Sequence, residues 1–233
     1  MRMGERLDDN RRAIDYRTTG VGATGVVQTD EYVCKGTGRE TWTPRFTYHG
    51  FRYLELSGAA TQPDTSWLRA VVVHTDVSRR GSFECSDQQI NRLHEMAVRT
   101  MLSNTHGLPT DCPHREKLGW LEQSHLIGPS IQYGYDISRA YPKIVGDMAT
   151  AQHEDGMIPT IAPQYTVFAE GFLDTPEWGS AFILLPYYLY RWYGDDRPMC
   201  ENYDRMADYI DYLSSKADGH IVAYGLGDWC DIG

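Results

Sequence analysis

The 233-residue chain is predicted to be an α+β protein in two segments, a partial antiparallel β-sandwich followed by an incomplete α-toroid. Three observations predict this fold class. Short runs that alternate aromatic and polar residues fill the first third, apolar residues at helical spacing begin near Phe83, and long loops rich in Gly, Pro and Asp join the later helical spans. Because strands precede helices instead of alternating with them, an α+β arrangement is favoured. We place the domain boundary so that the sandwich segment is 1–82 and the toroid segment is 83–233.

The strand predictions depend on alternation and on turn residues. His49-Gly50 is the expected turn between the second and third strands, and Ser57-Gly58 punctuates the run that follows. We expect these strands to pack face to face on another sheet, although they are too few to complete a sandwich. The predicted strands are Val26–Val33, Thr41–Tyr48, Phe51–Leu56 and Trp67–Val77.

The first helix is predicted to begin after Ser86, which we take as the N-cap, with Gln89 at the capping-box position. Its expected buried face consists of Ile90, Leu93, Ala97, Met101 and Leu102. Proline inside two of the later spans predicts a late start or a kink. The later helices are expected over Leu121–Tyr133, Ile137–His153, Trp178–Tyr193 and Met199–Lys216, with Pro142 and Pro186 as the internal prolines.

Composition excludes several classes of function. The net charge is −10 and no basic run is present, so the chain is a poor partner for nucleic acid. No stretch approaches the roughly 18 to 20 apolar residues that span a membrane. The five cysteines are odd in number and lack a CxxC pair, and the histidines near position 114 lack ligand spacing, so neither metal nor cofactor is predicted. The 16 Tyr and 6 Trp suit either a tyrosine-rich core or a sugar-binding surface.

The densest polar cluster lies between two predicted helices, from Pro109 to Gln123. Glycoside hydrolysis needs one protonated carboxylic acid and a second carboxylate, and a glutamic acid near a tryptophan suits the acid role because desolvation favours its neutral form. Glu116 and Glu122 both qualify, while Arg115 and Lys117 oppose that effect. A solvated surface loop is the alternative interpretation, although Trp120 is unusual in such a loop.

The segment Asp111-Cys112-Pro113-His114-Arg115-Glu116-Lys117-Leu118-Gly119-Trp120 resembles the Asp-Cys-Pro…Asp-Glu-Arg-Leu-Gly-Trp signature of the glycoside hydrolase family 78 α-L-rhamnosidases. Segments Gly156–Pro163, Pro176–Ala181 and Gly227–Trp229 are similar to successive active-site loops of that family, and Trp42–Tyr53 is similar to the end of its β-sandwich domain. The similarity covers nearly the whole chain and implies an (α/α)6 toroid.

The resemblance also implies roles for individual residues. It makes Glu116 the general acid and Asp111 a carboxylate that binds the sugar hydroxyls. The spacing from Asp111 to Glu116 is one residue shorter than in the commonest family pattern, and Gln123 replaces an acidic residue, so Glu122 is the fallback acid. The other expected substrate-binding residues are Arg115, Trp120, Glu122, Trp178, Asp228 and Trp229.

The implied activity is an inverting exo-glycosidase that hydrolyses terminal α-L-rhamnosides of a glycoside or polysaccharide. The general base is expected beyond Gly233, so the chain by itself is expected to be inactive. Two alternatives stay open: another α-toroid glycosidase, and a sugar-binding or inactive protein. The chain shows no signal peptide, and a periplasmic or secreted location is expected for a full-length parent.

Overall fold

The computed structural model describes residues 1–16 and 28–227. The chain divides into two compact units. Unit 1 comprises Met1–Val73 together with Cys112–Lys117, and unit 2 comprises His74–Asp111 together with Leu118–Gly233. A six-residue piece of the polar cluster thus belongs with the N-terminal unit. The predicted boundary after residue 82 stays a prediction.

Unit 1 holds a small antiparallel sheet of two strands, β1 (Arg2–Gly4) and β2 (Tyr53–Glu55), in which Met3 lies opposite Leu54. The sheet is partial, as predicted, and its membership corrects most of the strand predictions. β2 lies within the predicted run Phe51–Leu56, but it pairs with the chain's first residues and not with Thr41–Tyr48.

The other predicted strands do not form within the described residues. Thr41–Tyr48 and Trp67–Val77 contain no strand, and the described part of Val26–Val33 makes only a single bridge, from Thr29 to Arg2. The physical reason is that a strand needs a neighbour to satisfy its backbone groups, and alternation alone does not supply one. Residues 26 and 27 lie outside the described residues.

Unit 2 is helical, which confirms the α+β prediction. Its elements include Gln88–Ser103 (α1), Leu121–Leu126 (α2), Gly128–Gly134 (α3), Ala140–Ala151 (α4), Pro176–Gly179 (α5), Ala181–Tyr193 (α6), Arg197–Glu201 (α7) and Tyr203–Lys216 (α8).

The start and the face of α1 differ from the prediction. Asp87, not Ser86, is the N-cap, because its carboxylate accepts from the backbone N–H groups of Gln89 and Ile90. The predicted inner residues Ile90 and Leu93 are 47% and 61% exposed, whereas Val98 is buried. The predicted inner residues Met101 and Leu102 do pack against the core, so the predicted face is right at the end of α1 and wrong at its start.

The later helices follow the predicted spans, with breaks at Ile127, Ser180 and Asn202. The span Leu121–Tyr133 divides at Ile127, because Pro129 in the first turn of α3 has no N–H to continue the α2 ladder. α4 begins at Ala140 with Pro142 in its first turn, which confirms the late start. Pro186 lies inside α6, which continues through it.

The core of unit 2 forms where α6 packs against α4 and α2, and α8 adds Met206, Tyr209 and Tyr212 to the same buried cluster. Full burial of a side chain the size of Leu or Phe contributes roughly 1.5–3 kcal/mol relative to exposure. Within the described ranges no helix combines the length and apolar character that crossing a bilayer requires. The fully buried residues at this centre include Leu121, Tyr141, Ile144, Val145, Met148, Phe182, Leu185, Leu189 and Tyr209.

Candidate functional site

The turn Cys112–Lys117 carries Glu116 and lies in unit 1. Its first half is tied to Gly50, whose N–H donates to the Pro113 carbonyl at 2.9 Å. A Cβ on Gly50 would come within 2.7 Å of Pro113 Cγ, so the two backbones meet closely. Within the turn, the Glu116 N–H donates to Cys112 Sγ at 3.2 Å. The motif cysteine thus accepts a hydrogen bond from the backbone of the candidate acid.

The second half of the turn is tied down through Lys117, which has a left-handed backbone with φ 56°. Its ammonium donates to the Tyr48 carbonyl at 2.6 Å and lies 4.9 Å from the centre of the Tyr48 ring. It is also 3.5 Å from His49 Nδ1, while His49 Nε2 is 3.0 Å from a carboxylate oxygen of Asp30. Burial lowers the pKa of Lys117, and the charge of Asp30 opposes that effect.

Asp111 lies in unit 2 and pairs with Leu118 across the loop. The Leu118 N–H donates to Asp111 Oδ1 at 3.1 Å, and the Asp111 N–H donates to the Leu118 carbonyl at 3.2 Å. Leu118 is fully buried, and a Cβ on Gly119 would lie 1.9 Å from Leu108 Cδ1. The Leu-Gly pair of the motif therefore anchors the loop, and the backbone of Leu118 orients the Asp111 carboxylate.

Trp120 lies in an aromatic cluster, which we define as Trp120, Phe168, Phe172 and Trp178. Trp120 stacks on Phe168 with ring centres 5.1 Å apart, and it meets Trp178 edge-on at 6.5 Å. Phe172 is 6.5 Å from Trp120 and 6.1 Å from Phe168. The structure thus brings together two of the predicted tryptophans. Trp178 is 5% exposed, and among the described residues its indole N–H has no hydrogen-bond partner.

Sequence reasoning missed Phe168 and Phe172. The sequence marks these two residues only weakly, because the segment between Pro163 and Pro176 has no apolar periodicity that would indicate a buried face. An aromatic pair four residues apart in such a stretch is the feature that points to them. Only the folded chain shows that Trp120 is their partner.

The loop after Gly156 supports the aromatic cluster through Thr160. The Leu121 N–H donates to the Thr160 carbonyl at 2.9 Å, and the Thr160 N–H donates to the Leu173 carbonyl at 3.0 Å. The Thr160 hydroxyl also donates to the Phe172 carbonyl. Because Thr160 is 1% exposed, these bonds are shielded from water and hold the backbone of Leu121, next to Trp120, in register with that of Phe172 and Leu173.

Asp174 accepts hydrogen bonds from α8 and from the segment after it. Its Oδ2 accepts from the Tyr212 hydroxyl and from Lys216 Nζ at 2.6 Å, and its Oδ1 accepts from the Tyr224 hydroxyl at 3.3 Å. Burial, and next the hydrogen bond to Asp174, raise the pKa of Tyr212. Burial alone lowers the pKa of Lys216, but the bond to Asp174 and its charge outweigh it, so this pKa is raised. Asp174 therefore joins three segments of unit 2.

The remaining predicted site residues occupy varied positions. Arg115 is exposed in the turn, and Glu122 is half-buried in the first turn of α2, where a carboxylate suits the positive end of the helix. Asp228 and Trp229 lie outside the described residues. Within the described part of the chain, no group of three or more His, Cys, Asp or Glu side chains is arranged to hold a metal.

Comparison with protein families and solved structures gives a consistent result. Residues 78–233 match the bacterial alpha-L-rhamnosidase 6 hairpin glycosidase domain, and residues 1–74 match the bacterial alpha-L-rhamnosidase concanavalin-like domain. The fold is thus that of the six-hairpin glycosidase domain, preceded by a concanavalin-like domain. The chain belongs to the bacterial α-L-rhamnosidase family, as the resemblance of its motif loop implied.

Individual relatives of the chain are α-L-rhamnosidases as well. An alpha-L-rhamnosidase of Formosa agariphila is 41% identical over 97% of this chain and 25% of its own length. The solved alpha-L-rhamnosidase from Dictyoglumus thermophilum has a TM-score of 0.86 at 34% identity, covering 100% of this chain and 26% of that one. That of Streptomyces avermitilis, complexed with L-rhamnose, has a TM-score of 0.84 at 31% identity, covering 98% of this chain and 22% of that one. The chain therefore spans about a quarter of the length of these relatives.

Proposed function

We propose that the whole protein carrying this chain is an inverting exo-glycosidase that hydrolyses terminal α-L-rhamnosides. The observation that carries the proposal is the Asp111–Trp120 loop, in a chain whose relatives are α-L-rhamnosidases, one of them solved with L-rhamnose. Its substrates are rhamnose-containing glycosides or polysaccharides.

Glu116 is the general acid in this proposal. It gives its proton to the glycosidic oxygen as the bond between that oxygen and the anomeric carbon breaks. In an inverting enzyme a second carboxylate removes a proton from the water that attacks the opposite face, and the two carboxyl groups stand about 6.5–9.5 Å apart. That second carboxylate is expected outside residues 1–233.

The sugar is held by the remaining residues of the predicted site. Trp120 and Trp178, which meet edge-on in the aromatic cluster, are the residues proposed to contact the apolar face and methyl group of rhamnose. The buried Trp178 N–H has no partner among the described residues and is available to donate to a hydroxyl. Asp111, oriented by Leu118, accepts from hydroxyls. Arg115, Glu122, Asp228 and Trp229 complete the proposed contacts.

The test is Glu116→Gln in the whole protein, with Glu122→Gln as the matched variant. Loss of a positioned acid lowers the rate by about 10²–10⁴-fold, so kcat on an alkyl rhamnoside, whose leaving group needs the proton, is expected to fall by that amount while rhamnose binding is retained. Glu122→Gln is expected to keep most of kcat. The reverse pattern moves the acid to Glu122.

A panel of nitrophenyl glycosides tests the substrate class. Rhamnoside is expected to be the hydrolysed member. Turnover of an unrelated glycoside without turnover of the rhamnoside would identify a different six-hairpin glycosidase activity. Binding without any turnover by the whole protein would leave a sugar-binding protein instead.

A further inference from the structure

We propose that the segment Tyr48–Gly50 is a clamp that positions Glu116, and that Lys117 is the positioning residue through which it acts. We call this segment the clamp. The inference deepens the proposed function and rests on it, since it assigns the clamp to the general acid. All the contacts that support it lie within unit 1.

The clamp holds the turn on both sides of Glu116. Gly50 donates its N–H to the Pro113 carbonyl, three residues before Glu116. Tyr48 accepts from Lys117, the residue directly after Glu116. Three consecutive residues therefore fix the start and the end of a six-residue turn, and the backbone of Glu116 has little freedom left between them.

The Gly50 side of the clamp works by close approach. A Cβ at this position would meet Pro113 Cγ at 2.7 Å, Cβ at 3.0 Å and the carbonyl carbon at 3.1 Å. One of these atoms is backbone and the ring atoms are rigid, so relief of the clash must move the turn. Glycine at position 50 thus sets the distance between the clamp and the turn.

The Lys117 side works against an unfavourable backbone. A left-handed conformation is unfavourable for a residue with a side chain, so something must hold Lys117 there. Its ammonium makes a 2.6 Å hydrogen bond to the Tyr48 carbonyl and approaches the face of the Tyr48 ring. These contacts need both the length and the charge of lysine, and they offset the backbone cost.

His49 supports the lysine from the other side. Its Nε2 lies 3.0 and 3.1 Å from the two carboxylate oxygens of Asp30, and an acceptor pair of this kind places the proton on Nε2. Nδ1 then has its lone pair toward the Lys117 ammonium at 3.5 Å. The side chains of His49 and Asp30 are 8% and 12% exposed, so water screens this chain of contacts weakly.

Catalysis depends on this clamp because proton transfer requires a fixed geometry. A misplacement of about 1 Å can lower a rate by about 10²-fold. A loosely held general acid lowers the rate most for a leaving group that needs protonation, such as an alkoxide. It lowers the rate least for a leaving group that departs without a proton, such as dinitrophenolate. A general loss of folded protein lowers both rates equally.

The experiment therefore measures Lys117→Met in the whole protein on an alkyl rhamnoside and on dinitrophenyl rhamnoside. Methionine keeps the approximate length and removes the charge. The alkyl substrate is expected to lose about 10- to 100-fold in kcat, whereas dinitrophenyl kcat and both KM values change by less than about threefold. The matched control is Lys143→Met, since Lys143 is an exposed lysine of α4 that pairs with Asp147. It is expected to leave both rates unchanged.

Gly50→Ala is the second variant, with Gly146→Ala as its control, because nothing lies within 4 Å of a Cβ at Gly146. The Gly50→Ala variant is expected to show the same selective loss on the alkyl substrate. If Lys117→Met does not fold, the Gly50→Ala result alone tests the clamp. Equal losses on both substrates, or no loss on either, would overturn the clamp. Glu116→Gln, measured alongside, separates the two proposals. If this variant keeps its activity on the alkyl substrate, Glu116 is not the general acid. If Glu116→Gln shows the selective loss and the clamp variants do not, only the clamp proposal is wrong.

Discussion

Gly156 is a position at which a single added methyl group is expected to destabilise unit 2, because it combines a positive φ with a close backbone neighbour. It has φ +91° and is buried beside α8. A Cβ there would lie 2.5 Å from the Asp208 carbonyl oxygen and 3.0 Å from the carbonyl carbon. Gly194, which ends α6, offers the matched control, since it has φ +69° and nothing within 4 Å of its Cβ position.

The two alanine variants share one cost and differ in another. Both place alanine at positive φ, which costs roughly 1–2 kcal/mol, less about 0.4–1 kcal/mol recovered from the more restricted unfolded chain. Gly194→Ala is therefore expected to lower the free energy of unfolding by about 1 kcal/mol. Gly156→Ala adds the clash with the α8 backbone, for which overpacking costs of about 1–3 kcal/mol apply, for a total near 3 kcal/mol.

Thermal unfolding followed by the helical circular-dichroism signal measures this difference. The signal reports on unit 2, because the helices α1 to α8 all lie in that unit. For a unit of 150–250 residues each kcal/mol shifts the midpoint by about 2–4 °C, so midpoints about 6–12 °C lower for Gly156→Ala and about 2–4 °C lower for Gly194→Ala are expected. Equal shifts would refute the reasoning, since they would show that the chain relieves the contact with Asp208 at no cost.

Two further predictions concern the polar and aromatic groups of unit 2. Asp174→Asn is expected to lower the free energy of unfolding by about 1–2 kcal/mol, because it weakens charge-assisted bonds to Tyr212 and Lys216 at a carboxylate that is 15% exposed. The control is Asp195→Asn: this carboxylate is 14% exposed, but its bonds go to Arg197, which is two residues away and 76% exposed, so an equal loss there would contradict this explanation. Burial raises the pKa of Tyr141 and Tyr209, so the folded state keeps protons that the unfolded state releases above pH about 10. Stability is therefore complete below that pH and falls above it by roughly 1.4 kcal/mol per pH unit for each tyrosine, and Tyr141→Phe is expected to make the fall less steep. Denaturant midpoints against pH check this, and phenolate absorbance that develops fully before the helical signal is lost would contradict it.

Local sequence determined much of the helical half and of the motif loop. The four later helical spans were predicted from the local sequence, and Pro142 correctly predicted the late start of α4. These features depend on contacts between residues close in sequence, so a pattern within one window contains them. The rare residues between Asp111 and Trp120 likewise led to the family, which the match over residues 78–233 confirmed.

The site was only partly predictable for the same reason. Asp111, Trp120 and Trp178 were predicted, and the structure places Trp120 against Trp178. Phe168 and Phe172 were missed because nothing in their own segment shows that Trp120 stacks there. The roles of Glu116, of Asp111, Trp120 and Trp178, and of the other predicted site residues all stay predictions.

What only the tertiary structure decided involves partners distant in sequence. Alternation predicted strands at Thr41–Tyr48 and Trp67–Val77, but β2 found its partner at Arg2–Gly4, because a strand exists only where another backbone satisfies its hydrogen bonds. The motif named Glu116 and Lys117, yet 68 residues separate Lys117 from the His49 it approaches. Sequence alone supplied the chemistry of the Cys112–Lys117 turn, and folding supplied the Tyr48–Gly50 segment that holds it, since contacts across such separations are set by packing and not by local propensity.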